Sequence, residues 1–376
     1  MTVRIGIIGP GGMGQAHIER ITNVLSGGRV VAVSDLDVAR AKAVAEPLGA
    51  TVYPDGAALI SADEVDAIMV TSFGPAHEES VITAIEARKP VFCEKPLAPT
   101  AAACLRIMEA EQRAGRRLVQ VGFMRRYDAG YRQMKAVLDS GEIGEPLMVH
   151  CAHRNPTVPE IYTADMAINA TAIHEVDTMR WLLAEDFVTA RVDRPKKTRN
   201  RFPHLQDPLV LILESESGVR VDDEIFVNIG YAYDIRCESV GETGTVSLAD
   251  QHKIELRDRH GHHNELSTSH VDRFDGAFTT ELQAWIRSVE NGVTSGPSSW
   301  DGYAAAVVCD AGVKALLGDG GTVAIEMIQR PAFYADDTLA SWRVAPTSLH
   351  PEGPPHETPP LPGVCDERQA AGPVGG

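Results

Sequence analysis

Three short runs carry side chains that could do chemistry. Gly9-Pro10-Gly11-Gly12-Met13-Gly14 has the G-x-G-x-x-G spacing, after an apolar run and before a helical pattern. In that context the first glycine permits a tight turn, the second lets the backbone approach a pyrophosphate, and the third lets a helix sit close to a sheet. The N-terminus of that helix offers free N–H groups and partial positive charge to phosphates. Asp35 follows about 20 residues later, where a carboxylate accepts hydrogen bonds from the adenosine ribose. Its charge also repels a 2′-phosphate, which favours NAD over NADP, although Arg40 leaves dual use open. Asp37 is better placed than Asp35 to cap the helix that starts at Val38.

Glu94-Lys95-Pro96 stands just past another apolar strand. The carboxyl ends of parallel strands meet the ligand crevice, so Lys95 can reach a substrate there. Oxidising an alcohol leaves a developing alkoxide that must lose its proton while hydride leaves carbon. A cation steadies that oxygen, and a tuned lysine relays the proton. His174, in Ile173-His174-Glu175-Val176-Asp177, is neutral near pH 7 and can accept a hydroxyl proton. The structural alternatives are a surface lysine and a histidine packed on a helix face.

These groups need rigid elements behind them. Up to about residue 120, strands at Arg4–Ile8, Val30–Ser34, Ala67–Thr71, Pro90–Cys93 and Leu118–Val121 alternate with helices. The helices are Met13–Leu25, Val38–Leu48, His77–Ala87 and Ala101–Ala114. That alternation predicts a Rossmann-type α/β domain over 1–122, with a parallel sheet covered on both faces. An α+β domain with a large, mostly antiparallel sheet is expected over 123–335, its strands running between Leu147 and Ser247. The helices Thr171–Leu183 and Thr279–Glu290 are expected to pack on it, and Gly302–Leu317 to pack back on the first domain. Beyond about Ala345 the composition turns to Pro, Gly, Glu and Ser, so 345–376 reads as a disordered tail.

The bulk numbers narrow the function. A chain of 376 residues is long enough for two cores. Its net charge of −17 repels nucleic acid and anionic membranes, and suits a neutral polyol better than a polyanion. No leader pattern opens the chain, and no run approaches the roughly 18 apolar residues of a membrane span. The six cysteines include no Cys-x-x-Cys pair, so reduced thiols and a cytoplasmic location are expected. His260-Gly261-His262-His263 has no further ligand at a zinc-site spacing and reads as a solvated loop, so no metal is expected.

With the glycine loop, Asp35 and the domain order, Glu94-Lys95-Pro96-Leu97 resembles the Gfo/Idh/MocA oxidoreductase family across roughly residues 3–335. Further runs resemble its inositol 2-dehydrogenase branch: Gly74-Pro75-Ala76-His77-Glu78, Gly122 to Asp128, His153-Arg154-Asn155-Pro156, Ile173 to Asp177 and Tyr231-Ala232-Tyr233-Asp234. The resemblance implies an NAD-dependent oxidation of a ring hydroxyl on an inositol-like polyol, a homotetramer, and a cis peptide before Pro96. It implies catalytic roles for Lys95 and His174. Around the cofactor it places Gly9, Gly11, Gly12, Met13 and Gly14, then Asp35, Ser72, His77, Glu94 and Lys95. Around the polyol it places Arg125, His153, Asn155, Asp177 and Tyr233, with Lys95 and His174.

One position departs from the pattern. The family carries an Asp four residues before this histidine, and here that residue is Ala170. A methyl group cannot orient an imidazole or bind a hydroxyl, and the loss of one member of a cooperating set costs several powers of ten in rate. Three readings follow: catalysis by Lys95 and His174 alone, another sugar or aminocyclitol as substrate, or a weakly active or non-catalytic NAD-binding sensor.

Overall fold

The computed structural model describes residues 2–200, 202–249 and 255–335; the tail expected over 345–376 lies outside them. The first sheet is parallel throughout, in the order β3-β2-β1-β4-β5-β6. Its strands are β1 (Val3–Ile8), β2 (Gly28–Ser34), β3 (Thr51–Tyr53), β4 (Ala67–Val70), β5 (Val91–Glu94) and β6 (Val119–Gly122). The helices between them are α1 (Gly12–Asn23), α2 (Val38–Ala45), α3 (Gly56–Ser61), α4 (His77–Glu86) and α5 (Ala101–Ala114). In this order the chain leaves β1 in opposite directions toward β2 and β4, and that switch point is where doubly wound sheets open a ligand crevice.

The short pair β3 and α3 is absent from the sequence reading, because three strand residues are too few to show a period of two. The helix α6 (Ala129–Ser140) was missed although its ends are marked. Asp128 accepts from the Gly130 and Tyr131 amides at its start, and Gly141 takes positive φ at its end.

The second sheet runs β12-β11-β7-β10-β9-β8-β15. Its strands are β7 (Pro146–Arg154), β8 (Phe187–Asp193), β9 (Leu209–Ser215), β10 (Arg220–Phe226), β11 (Asp234–Gly241), β12 (Thr245–Ser247) and β15 (Val323–Ala324). All pairings are antiparallel except β7 with β10. The histidine-rich run expected to be a loop instead forms the hairpin β13 (Glu255–Asp258) and β14 (Gly261–Asn264).

Five more helices complete the second half among the described residues: α7 (Ala164–Met166), α8 (Ile173–Leu183), α9 (His270–Arg273), α10 (Asp275–Glu290) and α11 (Ser299–Leu317). Here one expectation fails. The apolar face of α10, with Leu282, Trp285 and Ile286, packs with Ile5, Ile7, Val33, Met69 and Phe92 of the first sheet, not on the second. The physical reason is that β1, β2 and β4 are apolar on both faces and need a cover that α1 and α2 do not complete. The helix α11 lies against α5 and β6 of the first half and against α8 and β8 of the second. The two halves are therefore joined through side-chain packing at two helices.

Candidate active site

The glycine loop meets each steric demand of a dinucleotide site. Gly9 has φ of +78°, and a Cβ there would lie 2.4 Å from Ser72 Cα. A Cβ on Gly14 would lie 2.5 Å from Thr71 Oγ1, so only glycine lets α1 sit this close to β4. At Gly11 and Gly12 a Cβ would meet nothing within 4 Å. Their open side is the space a pyrophosphate would take. The N-cap of α1, Gly11, supplies no side-chain cap, which leaves the first helical amides to a ligand. The Ser72 hydroxyl beside this loop is buried without a partner. These residues fit NAD.

At the end of β2, Asp35 accepts from the Asp37 amide at 2.7 Å and from Arg40 Nε and Nη2 at 2.8 and 2.6 Å. Burial lifts its carboxyl, but Arg40 and the Asp37 amide overcome this and hold it below the usual range. Asp37 caps α2 through the Ala39 and Arg40 amides.

His77 turns its ring toward the backbone. It is buried, with Nδ1 at 2.8 Å from the Pro96 carbonyl and Nε2 at 2.8 Å from the Ser72 carbonyl. Burial keeps the ring neutral, so one nitrogen donates to a carbonyl, and the ring stands between the Lys95–Pro96 turn, whose peptide is cis, and the end of β4.

A cavity of about 420 Å³ opens between the glycine loop and the second sheet. Of the expected residues, Met13, Glu94 and Lys95 line it from the first half, and His153, Asn155, His174 and Tyr233 from the second. Lys95 extends from β5, and its Nζ donates to the Ala170 carbonyl at 2.9 Å. Burial lowers the lysine's pKa, and Glu94 only partly restores it. Glu94 is itself held by His17 Nε2 at 2.7 Å.

The segment before α8 is a π-helical turn, Ala167–Ala172, where the sequence pattern predicts an α-helix from Thr171. Such turns recur at functional sites because their wider winding re-aims backbone carbonyls. Here Ala170 shares the cavity with His174, as expected for the family's acid, but presents a methyl group and a carbonyl oxygen. The oxygen supplies Lys95 with the acceptor that the side chain lacks.

His174 is buried on α8, and its Nδ1 has no partner among the described residues. Burial, reinforced by Lys95, Arg125 and His153, pushes its pKa well below 6.5, so it is a neutral imidazole at pH 7. His153 Nδ1 lies 2.9 Å from Glu175 Oε2, which fixes that ring and leaves Nε2 as its free nitrogen. The ring packs edge-on against Tyr233, their centroids 5.5 Å apart.

Two expected polyol contacts are placed elsewhere. Arg125 lies beneath the cavity, paired with Glu175 and 3.2 Å from His153 Nδ1. Asp177 is buried against Arg126, accepting from its Nε at 2.9 Å. On α8, His174 faces the cavity while Asp177, three residues on, faces the α11 interface. Both carry charge where a buried partner, not a ligand, satisfies it.

Sequence reasoning missed Tyr162, Thr171, Ser269 and His270 in the cavity wall. Tyr162 and Thr171 share a hydroxyl hydrogen bond of 2.6 Å. His270 reaches across from α9 to within 3.2 Å of Met13 Sδ. Tyr162 and Ser269 lie in connecting segments and Thr171 and His270 in short helical turns, all too short to show a period, so only the Ser269 cap of α9 left a local signal.

The chain matches two family models: an oxidoreductase-family NAD-binding Rossmann fold at residues 3–123 and that family's C-terminal alpha/beta domain at 135–325. Inositol 2-dehydrogenase 3 of Saccharopolyspora erythraea is 54% identical over 334 residues, covering 89% of this chain and 98% of that protein. Inositol 2-dehydrogenase of Ralstonia nicotianae is 55% identical over 336 residues, covering 89% and 99%. Among solved structures, myo-inositol dehydrogenase from Lactobacillus casei, in complex with NAD(H) and myo-inositol, is 40% identical with a TM-score of 0.86. It is matched over 89% of this chain and 100% of its own. With its glycine cradle, its lysine at the crevice and both domains matched, the chain belongs to the Gfo/Idh/MocA oxidoreductase family.

Proposed function

We propose that this protein oxidises a ring hydroxyl of myo-inositol or a close cyclitol to the ketone. NAD, when bound, accepts the hydride. The observation that carries the reading is the cavity at the end of β5, where a half-buried lysine and three histidines, His153, His174 and His270, face one space beside the glycine loop. Lys95 steadies the substrate oxygen as charge develops, and its lowered pKa makes it a competent proton carrier. His174, neutral and without a hydrogen-bond partner on Nδ1, accepts the hydroxyl proton. His153, Asn155 and Tyr233 offer polar groups to the remaining hydroxyls, which penalises analogues that leave them unpaired. The reading includes a cytoplasmic homo-oligomer, a tetramer by family likeness. Leu147, Met148 and Val188 of the second sheet are exposed, and a second copy would cover them.

Purified protein with NAD should gain reduced-cofactor absorbance on a panel of inositols and sugars, most with myo-inositol. Lys95→Met should lower kcat by about 10² to 10⁴. No turnover on any polyol would refute the reading and leave an NAD-binding sensor.

A second reading rests on the methyl group at position 170, which leaves one wall of the cavity without a hydroxyl partner. It makes the preferred substrate another sugar or aminocyclitol. Ala170→Asp separates the two: a gain of tenfold or more on myo-inositol supports a missing acid, and an unchanged or lower rate defeats it.

A further inference from the structure

We propose that Arg40 is a cofactor-specificity residue that lets this chain bind NADP as well as NAD. The argument starts from a count of lone pairs at the end of β2. A carboxylate has about four acceptor positions. Asp35 Oδ1 accepts from the Asp37 amide at 2.7 Å and Arg40 Nη2 at 2.6 Å, and Oδ2 accepts from Arg40 Nε at 2.8 Å. One position is left for a ribose diol that offers two hydroxyls. The acid that should select NAD is already engaged by a cation of its own chain.

The same geometry serves a 2′-phosphate. Guanidinium carries five N–H donors, of which Asp35 takes two. Nη1 forms an ion pair with an Asp37 oxygen at 3.8 Å, too long for a hydrogen bond, so its N–H groups keep donor capacity for phosphate oxygens that displace this exposed acid. The Arg40 side chain is 42% exposed, and the neighbouring Leu36 is fully exposed, so a ligand can approach from solvent. A phosphate on the ribose 2′-oxygen would stand beside the carboxylate that holds Arg40. The guanidinium would then neutralise the acid on one side and pair with the phosphate on the other. Discrimination between the cofactors is thus set by how Arg40 divides itself between Asp35 and the ligand.

The proposal rests on the dinucleotide site alone and not on the identity of the polyol. Its test is therefore a binding titration without substrate. NAD and NADP are titrated calorimetrically into the natural chain, Arg40→Ala, Asp35→Ser and the double variant. Arg40→Ala should weaken NADP by about ten- to a hundredfold, the range for hydrogen bonds to a charged group, while NAD binds as well or more tightly. Asp35→Ser, which keeps Arg40, should bind NADP more tightly than NAD, and the double variant should lose that inversion. Arg40→Lys should retain part of the NADP affinity. Equal weakening of both cofactors by Arg40→Ala would mean that Arg40 only supports the loop, and unchanged NADP binding would mean that it does not meet the phosphate. Either result overturns the proposal, even if the protein turns over inositol.

Discussion

At the scale of single residues, the site works by setting protonation states through burial. Lys95 and His174 are both cationic groups in their protonated form, and desolvation opposes that form in each. They also oppose one another, since a charge on Lys95 disfavours a second on His174. The consequence for pH follows directly. In the role proposed for it, His174 must be neutral to accept a proton, and burial holds its pKa well below the ordinary imidazole value of 6.5. Activity should therefore persist as pH falls past 6.5, with the acid limb of kcat/KM lying below that value. A pH–rate profile checks this, and a limb centred at or above 6.5 would rule out His174 as the controlling group. Glu175 matters because its carboxylate holds His153 in one tautomer and Arg125 in place, two contacts from one side chain beneath the cavity. Arg125 and Asp177 show the limit of reading charges one at a time. Each is a polar residue in a site motif, yet each finds a buried partner within its own fold.

At the scale of elements, glycines within six residues of each other do different work. Gly14 is required by packing, because Thr71 stands where its Cβ would be. Gly11 is required only by a ligand, because its Cβ would enter open space. The two Ala substitutions should therefore separate stability from affinity. Gly14→Ala should lower the thermal midpoint by the equivalent of about 1–3 kcal/mol, the usual cost of overpacking. Gly11→Ala should leave the midpoint of the free protein unchanged and weaken NAD binding. Melting curves with and without NAD check both, and a destabilised Gly11→Ala would show that this loop is built for its own packing. The π-helical turn before α8 is the other element with a specific task. The sequence pattern predicts an α-helix only from Thr171, whereas the wider winding of Ala167–Ala172 presents the Ala170 carbonyl to Lys95.

At the scale of the whole molecule, a buried charge network ties together the elements of the second half that stand behind the cavity. Arg126, at the start of the second half, holds Asp177 of α8 and Asp301 of α11, and Arg180 lies 3.6 Å from Asp301. Burial pushes Asp301 up, yet Arg126 and Arg180 bring it down to about 2. A depressed carboxyl contributes stability above its unfolded pKa and loses it as pH falls through its folded pKa. Asp301→Asn should thus cost about 3–5 kcal/mol near neutral pH, as expected when one member of a buried network is lost. The gap between natural and variant protein should narrow, by about 2 kcal/mol, between about pH 4 and pH 2. Denaturant unfolding across that range measures it, and a gap independent of pH would assign the loss to packing alone. The same helix packs against the turn that carries Lys95, since a Cβ on Gly302 would lie 2.7 Å from Leu97, two residues past it.

The sequence by itself determined those features whose cause is local. Period, caps and glycine spacing mark the alternating strands and helices of the first half, and a lysine after a strand is legible because parallel sheets open at that edge. Likeness to a family supplied His153, Asn155 and Tyr233, which line the cavity but carry no periodic signal of their own. Tertiary structure decided what depends on partners far apart in the chain. It set Asp177 against Arg126, His77 between two carbonyls, and Arg40 on the acid that would read the ribose. It also laid α10 on the first sheet, although that helix follows the second in the chain. The reason is common to all of these. A side chain's charge and size are written in its residue type, but whether a ligand or another residue satisfies them depends on what folding brings alongside.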